Sequence, residues 1–344
     1  MACHLHPRRC PSTCVPARSL QRPRAGGLSP TTLEGKRFRS LLHGVYMLAD
    51  QPLTLPIWVD AARLVLPDDA IVHHLTGLHA RGVWVGAPWP LRFASSTDRQ
   101  VRHRVVRMAR LQRLPACDGG VAAAGACFAA ACAELDLVDA VAAGDWLLHL
   151  GRCSYDDLRR AVAAHRGTGA PAARRAVRLV RGGAESSRET LVRLMLALAG
   201  LPEPRCNLGV GTAGALIGRG DLVYVEFGLV VEYDGRQHAD SAVQWEHDLD
   251  RLDDFTASRW RHVRVTAVRL RRPRDVVLRV YEALVAGGYT GPAPTFGPVW
   301  VDLFERRTAA RRAAQSPRAD SWSRPPAAAH GQQCARTRHR RSRA

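Results

Sequence analysis

The sequence predicts an α/β protein in which a mixed sheet flanked by helices follows a mostly helical N-terminal domain. Two short apolar runs, residues 222–227 and 229–233, are joined at Phe227-Gly228 and are typical of two paired strands. Helical and strand patterns alternate over residues 183–288 in the order α-β-β-β-α-β-α, as in a compact α/β domain. Before them, residues 121–182 predict three or four alanine-rich helices.

The length of 344 residues suggests two domains, each long enough to bury a core. Residues 1–28 are rich in Pro, Arg and Cys without apolar periodicity, so we expect a disordered basic extension. The same reasoning predicts a disordered Arg-rich tail over residues 304–344. We therefore predict two folded domains, an N-terminal one over residues 29–182 and an α/β one over residues 183–303.

The N-terminal domain shows short patterns of both kinds. A helix is expected to start after Ser29, and a strand runs through "HGVYML". Helices are predicted at "LPIWVDAARLVL" and at "PDDAIVHHLTGLHARG", the second with acids near its start and a glycine near its end. "LRFASS" and "RHRVVRMARL" alternate as strands do.

The second domain begins with a helix at "ESSRETLVRLMLALAGL", which Ser186 or Ser187 can cap. The hairpin follows. A helix is then predicted at "AVQWEHDLDRLDDFTAS", a strand at "HVRVTAV", and a helix that opens at Pro273 in "PRDVVLRVYEALVAG".

The formal net charge of +19 lies mostly in the two ends of the chain. Residues 1–40 carry +7 and residues 306–344 carry +10, so residues 41–305 are close to neutral. Such ends favour loose, salt-dependent attraction to polyanions. They do not make the folded part a basic DNA-binding module.

Several classes of protein do not fit this chain. Nine scattered cysteines without a C-x-x-C pair predict neither a disulfide framework nor a zinc module. The start "MACHLHPRRCPSTC" has no apolar core of a signal peptide, and acids interrupt the apolar run 121–143. We therefore expect a cytoplasmic protein without a membrane partner.

Ionisable residues gather at the end of the predicted hairpin. Asp221 opens its first strand, and Glu232, Asp234 and His238 crowd the end of its second. Ends of antiparallel strands lie roughly 5 Å apart, and Glu232 and Asp234 project to one face because the strand period is two. Carboxylates packed together repel one another unless a cation bridges them, so the pattern indicates Mg²⁺ or Mn²⁺, with Glu185 as a further carboxylate.

Each of these residues also has an ordinary structural interpretation. Asp234-Gly235 is a strong turn dipeptide. Asp221 can simply start a strand, Glu232 can face solvent, and His238 can be a surface or capping residue. Only the joint spacing favours a site.

The pattern Asp-x(10)-Glu-x-Asp-Gly-x-x-His on a hairpin, between a helix with a glutamate and a helix with an arginine, resembles the PD-(D/E)xK nuclease superfamily. The similar branch is that of actinobacterial proteins akin to very-short-patch repair endonucleases, and the likeness covers residues 183–288. Residues 28–180 resemble the partner region of that family, whose start, "FRSLLHGVYML", is similar to the winged-helix domain of AbiEi-type antitoxins. The resemblance implies a restriction-endonuclease-like fold after a winged-helix-like domain.

The resemblance also implies roles for individual residues. Asp221 matches the metal-binding aspartate, and Glu232 matches the second acidic ligand. His238 is the candidate general base, with an unperturbed pKa near 6.5 that suits proton transfer. Glu185 resembles a helix carboxylate that holds a second metal or its water. Asp234 occupies the position of the usual lysine.

That departure leaves the chemistry open, because Lys36 is the only lysine of the chain. Phosphate approach would then depend on the metal and on arginines, for which Arg251, Arg264 and Arg236 are the candidates. Arg251 lies among aspartates, so an ordinary ion-pair role is an equal alternative.

The functional prediction is a metal-dependent endonuclease that hydrolyses DNA phosphodiester bonds with metal-activated water. The alternative is a non-catalytic DNA-binding regulator or antitoxin-like protein with a degenerate nuclease domain. DNA is the expected partner, and no small-molecule cofactor is expected. The sequence leaves open the DNA preference and the oligomeric state.

Overall fold

The structure is a computed structural model that describes residues 14–16, 30–98, 103–212, 215–234 and 260–306. Within these residues it is an α/β protein with mixed sheets flanked by helices, as the sequence predicts. The helix predicted at residues 242–258, most of the N-terminal extension and most of the C-terminal tail lie outside the described residues. None of the described helices is long and apolar enough to cross a lipid bilayer.

Two small sheets form the first part of the chain. The first holds β1 (Cys14–Pro16), β2 (Phe38–Leu42) and β3 (Val45–Leu48) in the antiparallel order β1-β3-β2. The second holds β4 (Ile71–Val72), β5 (Leu91–Ser95), β6 (Val106–Arg110), β7 (Cys117–Asp118) and β8 (Val121–Ala122) in the order β6-β5-β4-β8-β7. The helices here are α1 (Pro30–Leu33), α2 (Leu55–Arg63) and α3 (His74–His79).

The long helix predicted at residues 67–82 was wrong in its first half. Only His74–His79 is helical, whereas Ile71–Val72 forms β4, which pairs with β5 and with β8. Both residues of β4 are buried between these strands, so sheet pairing overrides a pattern that also fits a helix. The predicted strand at residues 91–96 is confirmed by β5, whereas of the strand predicted at 102–111 only Val106–Arg110, β6, is a strand, because a turn at residues 104 and 105 precedes it.

Four helices follow, in agreement with the alanine-rich pattern. They are α4 (Ala124–Ala131), α5 (Leu137–His149), α6 (Tyr155–Ala164) and α7 (Ala170–Leu179). Their small side chains allow close packing: a Cβ added at Gly125 of α4 would lie 2.6 Å from the Cβ of Ala161 in α6. The bundle packs directly on the next helix, α8 (Ser187–Leu198).

The predicted hairpin is confirmed inside a four-stranded sheet. The strands are β9 (Arg205–Thr212), β10 (Ala215–Tyr224), β11 (Leu229–Asp234) and β12 (Arg261–Thr266). In the order β12-β11-β10-β9, the first pair is parallel and the other two pairs are antiparallel. A 3₁₀ turn, Val225–Phe227, joins β10 to β11. Then come α9 (Pro273–Ala286), α10 (Pro298–Val301) and a π-helical turn, Asp302–Arg306.

One hydrophobic core joins the helical bundle to the four-stranded sheet. It runs from Ile71 to Phe304 and includes α4 to α9 together with one face of β10, β11 and β12. Trp300, near the end of the described residues, is buried in this core, and its Nε1 donates to the carbonyl of Met195 at 2.9 Å. A separate core beneath β2, β3, β5 and α2 serves the first part of the chain. The predicted domain boundary at residue 182 therefore lies within continuous packing.

A buried ion pair lies inside this core. Arg193 of α8 and Asp145 of α5 have side chains that are 0% and 1% exposed, and Nη2 lies 2.8 Å from Oδ2. Asp145 also accepts hydrogen bonds from the hydroxyl of Thr190 and the backbone N–H of Arg181, while Arg193 donates to Glu203. Burial raises the pKa of Asp145, which indicates that desolvation opposes the charged carboxylate despite these donors.

Replacing Gly169 by alanine should destabilise the protein far more than the same change at Gly151. Gly169 has a φ of 87°, and a Cβ there would lie 2.6 Å from the backbone N of Ala133. Gly151 has a φ of 61° but nothing within 4 Å of its Cβ position. Backbone strain alone should reduce the free energy of unfolding by about 1–2 kcal/mol at Gly151, and the clash should add about 1–3 kcal/mol at Gly169.

Urea unfolding of the two variants measures this difference, because both share the strain of a positive φ. Equal losses of stability at the two positions would contradict the close approach of residue 169 to Ala133.

Candidate functional site

The acidic site predicted at the hairpin centres on Asp221, where the pairing of two strands ends. The β10–β11 ladder ends at the pair Leu222–Val231. One residue earlier, Oδ2 of Asp221 accepts a hydrogen bond from the backbone N–H of Tyr233 at 2.9 Å. Tyr233 lies between Glu232 and Asp234 in the sequence. The hydrogen bond therefore holds the carboxylate of Asp221 against the backbone of the strand that carries the two other predicted acids.

The pairing of β9 with β10 skips one residue pair at this position. The β9–β10 register pairs Cys206 with Leu222 and Leu208 with Gly220, but it leaves out Asn207 and Asp221 between them. Asn207 has a φ of 50°, a left-handed conformation that asparagine adopts more readily than most residues. Asn207 of β9 and Asp221 of β10 therefore lie side by side without being a pair of the β9–β10 ladder.

Glu232 contacts a histidine that the sequence analysis did not single out. Oε2 of Glu232 lies 3.0 Å from Nε2 of His262 on the parallel strand β12, and both side chains are mostly buried. In the β11–β12 register His262 lies opposite Val230 and Arg264 lies opposite Glu232. His262 thus shares the face of Glu232, because residues two apart on a strand point the same way.

Asp234 lies beside the arginine that was predicted to contact phosphate. Nη1 of Arg264 is 3.6 Å from Oδ2 of Asp234, and both side chains are partly exposed. The negative charge of Asp234 is thus accompanied by a cation from the neighbouring strand.

Glu185 takes part in a second polar group, at the start of α8. Its carboxylate pairs with Arg219 of β10, and its backbone N–H donates to Oε2 of Glu189 at 2.8 Å. The same Oε2 accepts from Nδ2 of Asn207 at 2.7 Å, and Oδ1 of Asn207 lies 3.3 Å from Nε of Arg219. Glu189 is only 7% exposed, so this network holds a nearly buried carboxylate beside the sheet.

Arg219 connects the two acidic groups electrostatically. Its pKa is raised, first by the hydrogen bond to Glu185 and further by the negative charges of Glu185, Glu189 and Asp221. Arg219 therefore lies in the field of both groups, and the predicted residues Glu185 and Asp221 belong to one charged region. The structure does not bring Glu185 into direct contact with Glu232 among the contacts that it describes.

The sequence analysis missed Glu189, Asn207 and His262. A signal for Glu189 was present, because Ser186-x-x-Glu189 has the spacing of a capping box. Ser186 does accept from the N–H of Glu189, but the carboxylate bonds the N–H of Glu185 instead of returning to Ser186. No local pattern singles out His262, since its partner is 30 residues away in the sequence.

Asp221 and Glu232 provide hard oxygen donors of the kind that Mg²⁺ prefers, and one or two carboxylates completed by water and substrate phosphates form a common Mg²⁺ site. No group of three or more His, Cys, Asp or Glu side chains with metal-binding geometry occurs within the described ranges. His238, Arg236 and Arg251 lie outside those ranges. Asp221 and Glu232 lie on adjacent strands and are two described acids that could contribute to such a site.

A further polar cluster, in the first part of the chain, carries no extra positive charge from its histidines. His74 lies 3.8 Å from Glu134, which also pairs with Arg92. Burial lowers the pKa of His73 and of His74 to about 4, so both rings are neutral near pH 7. The two histidines therefore add no positive charge that would attract a polyanion.

The fold and the site together define an α/β protein with a cluster of acidic and basic side chains at one end of a mixed sheet. Comparisons with protein-family models, with curated proteins and with solved structures found no match for this chain. The function must therefore be argued from the side chains themselves.

Proposed function

We propose that this protein is a metal-dependent endonuclease that hydrolyses phosphodiester bonds of DNA, built on a restriction-endonuclease-like domain behind a winged-helix-like one. One observation carries the proposal: the carboxylate of Asp221 accepts a hydrogen bond from the backbone N–H of Tyr233, the residue between Glu232 and Asp234 in β11. The bond ties Asp221 of β10 to the strand that carries Glu232 and Asp234, and acids held on neighbouring strands are stabilised when a divalent cation binds between them.

In this proposal Asp221 and Glu232 hold Mg²⁺ or Mn²⁺. The cation would polarise a phosphoryl oxygen and make a bound water more acidic. His262 fixes the carboxylate of Glu232 through the contact at 3.0 Å, which makes it a positioning residue. His238 is the proposed proton acceptor. Glu185 adds a further negative charge at the edge of the site, where it pairs with Arg219.

The basic residues serve the phosphate in this proposal. Arg264 lies next to Asp234 and reduces the repulsion between that carboxylate and an approaching phosphate. Arg236 and Arg251 are further proposed phosphate contacts. The arrangement replaces the single lysine of related nucleases by several arginines.

A second candidate function is a non-catalytic DNA-binding regulator whose winged-helix-like half contacts DNA. A specific observation favours it: Glu232, Asp234 and Glu185 each already have a basic partner, namely His262, Arg264 and Arg219. Pairing with basic side chains of the protein stabilises these acids without a bound metal ion. The regulator is expected to bind DNA with salt dependence but without magnesium dependence.

Calorimetric titration of the whole chain with MgCl₂ or MnCl₂ distinguishes the two functions. The endonuclease is expected to bind the cation saturably, and Asp221→Asn or Glu232→Gln should weaken binding by about 10-fold or more, because each removes a charged ligand. The whole chain is required because the core that supports α8 includes residues on both sides of residue 182.

Glu226→Gln is the matched control, since Glu226 is an exposed acid in the turn of the same hairpin. It removes the same charge without touching the site, so its titration should equal that of the wild type. An absence of saturable binding in the wild type, or equal weakening by Glu226→Gln, would favour the regulator.

A further inference from the structure

An open cavity with many arginines adjoins the acidic site. Its volume is about 480 Å³, and it lies between β12, the 3₁₀ turn Arg269–Arg271 and the first half of α9. In the described part of the sheet, β12 is the outermost strand on this side. The cavity is therefore bounded by a sheet edge on one side and by a helix on the other.

The lining of the cavity is strongly cationic. Five arginines contribute to it against a single carboxylate, that of Asp275; the arginines are Arg264, Arg269, Arg271, Arg272 and Arg279. The rest of the lining is apolar and consists of valines, among which Val268 is 68% exposed. Guanidinium groups on an apolar floor suit an anion with several oxygen atoms, because each guanidinium can donate two parallel hydrogen bonds.

Among the residues that the structure describes, few partners neutralise this charge. Arg264 lies 3.6 Å from Asp234, and Arg269 donates to the backbone carbonyl of Arg264. In the part of the chain that the structure describes, no carboxylate lies within 4.0 Å of Arg271, Arg272 or Arg279. A cluster of like charges becomes more favourable when an external anion binds to it.

The shape of the cavity favours a chain of phosphates over a single small anion. Arg269, Arg271, Arg272 and Arg279 are all exposed and come from both the 3₁₀ turn and the helix. They therefore present positive charge along a surface instead of around one enclosed point. A polyanion with regularly spaced phosphates can contact several of them at once.

Arg264 connects this cavity to the acidic site. It lines the cavity and also lies beside Asp234, and its partner in the strand register is Glu232. An anion chain that occupies the cavity would thus lie near Asp234, on the strand that also carries the proposed metal ligand Glu232. We infer that the cavity binds backbone phosphates of a DNA strand next to the bond that is cleaved.

The inference rests on the proposed function for the choice of DNA, but the binding itself needs no cleavage. Its test is therefore fluorescence anisotropy with a labelled DNA duplex, the full-length chain and EDTA in the buffer. The basic ends of the chain also attract DNA, but they are identical in every variant. A protein without nuclease activity would still show the expected binding.

The variant is the triple change Arg271→Gln, Arg272→Gln, Arg279→Gln. The matched control is Arg174→Gln, Arg175→Gln, Arg178→Gln, which removes three exposed arginines from α7. We expect the cavity triple to raise Kd by about 10-fold or more, because charged hydrogen bonds to the DNA are removed. The slope of log K against log salt should fall by about 1 for each phosphate that the variant no longer binds.

The control triple should change Kd and the salt slope much less. Equal changes in both triples, or none in the cavity triple, would overturn the inference. Displacement of DNA by inorganic phosphate at similar concentration would identify a small-anion site, and equal competition by polyglutamate would identify an acidic protein partner; either result also overturns it. Single Arg279→Gln, at an exposed helix position, serves if the triple variant does not fold and should raise Kd in the same direction.

Discussion

Removing the carboxylate of Asp145 while Arg193 remains is expected to lower the free energy of unfolding by about 3–5 kcal/mol. The guanidinium of Arg193 is fully buried, and its Nη2 lies 2.8 Å from Asp145. In Asp145→Ala this nitrogen keeps a carbonyl partner, Leu179, and Glu203 remains beside Nη1, but the nearest buried charge is gone. Urea unfolding followed by circular dichroism measures the loss.

An exposed ion pair provides the control. Asp302 and Arg306 lie 2.7 Å apart at side-chain exposures of 58% and 77%, so Asp302→Ala should cost no more than about 0.5 kcal/mol. The double variant Asp145→Leu, Arg193→Met should be much more stable than Asp145→Ala, because it leaves no unpaired charge in the core. A loss for Asp145→Ala as small as that for Asp302→Ala would contradict the burial of this pair.

The second large effect is expected on DNA cleavage. Purified protein with supercoiled plasmid and MgCl₂ should nick the plasmid, and the double variant Asp221→Asn, Glu232→Gln should nick it at least about 100-fold more slowly. The side-chain amide introduced by Asp221→Asn keeps an oxygen for the N–H of Tyr233, so the hairpin should remain folded. The loss then reflects the missing charges and not a collapsed strand. Gel electrophoresis over time gives the rates.

One control and one further variant make the cleavage assay specific. Glu226→Gln, at the hairpin turn, should nick at the wild-type rate. His262→Gln should reduce the rate by about 10-fold to 100-fold, as is usual when a residue that orients a metal ligand is removed. Equal nicking by the wild type and the Asp221/Glu232 double variant would remove the proposed site, whatever the DNA binding shows.

The sequence predicted elements whose signal is local. The apolar runs around Phe227-Gly228 indicated β10 and β11, and the alanine-rich stretch indicated α4 to α7. The strands were indicated by short continuous apolar runs around a turn and the helices by a long alanine-rich stretch, and both signals lie within a few consecutive residues. The same local logic failed at β4, because two buried residues are too few to show a period.

The candidate site was predictable in its acids but not in their partners. Spacing alone placed Asp221 near Glu232 and Asp234, since the two strands are adjacent and the turn is short. The bond from Tyr233 to Asp221 forms just beyond the last pair of the β10–β11 ladder, and Asn207 beside it on β9 has a left-handed conformation. Whether an asparagine adopts that conformation is decided by the surrounding sheet.

The sequence by itself determined the α/β class, the hairpin and the acidic character of its end, because periodicity and turn residues act within a few positions along the chain. Only the tertiary structure decided that Glu232 meets His262, that Arg193 meets Asp145 and that five arginines line one cavity. These partners lie far apart in the sequence, and they meet because strands and helices pack through a shared core. Charge pairing is thus fixed by packing, which no local pattern specifies.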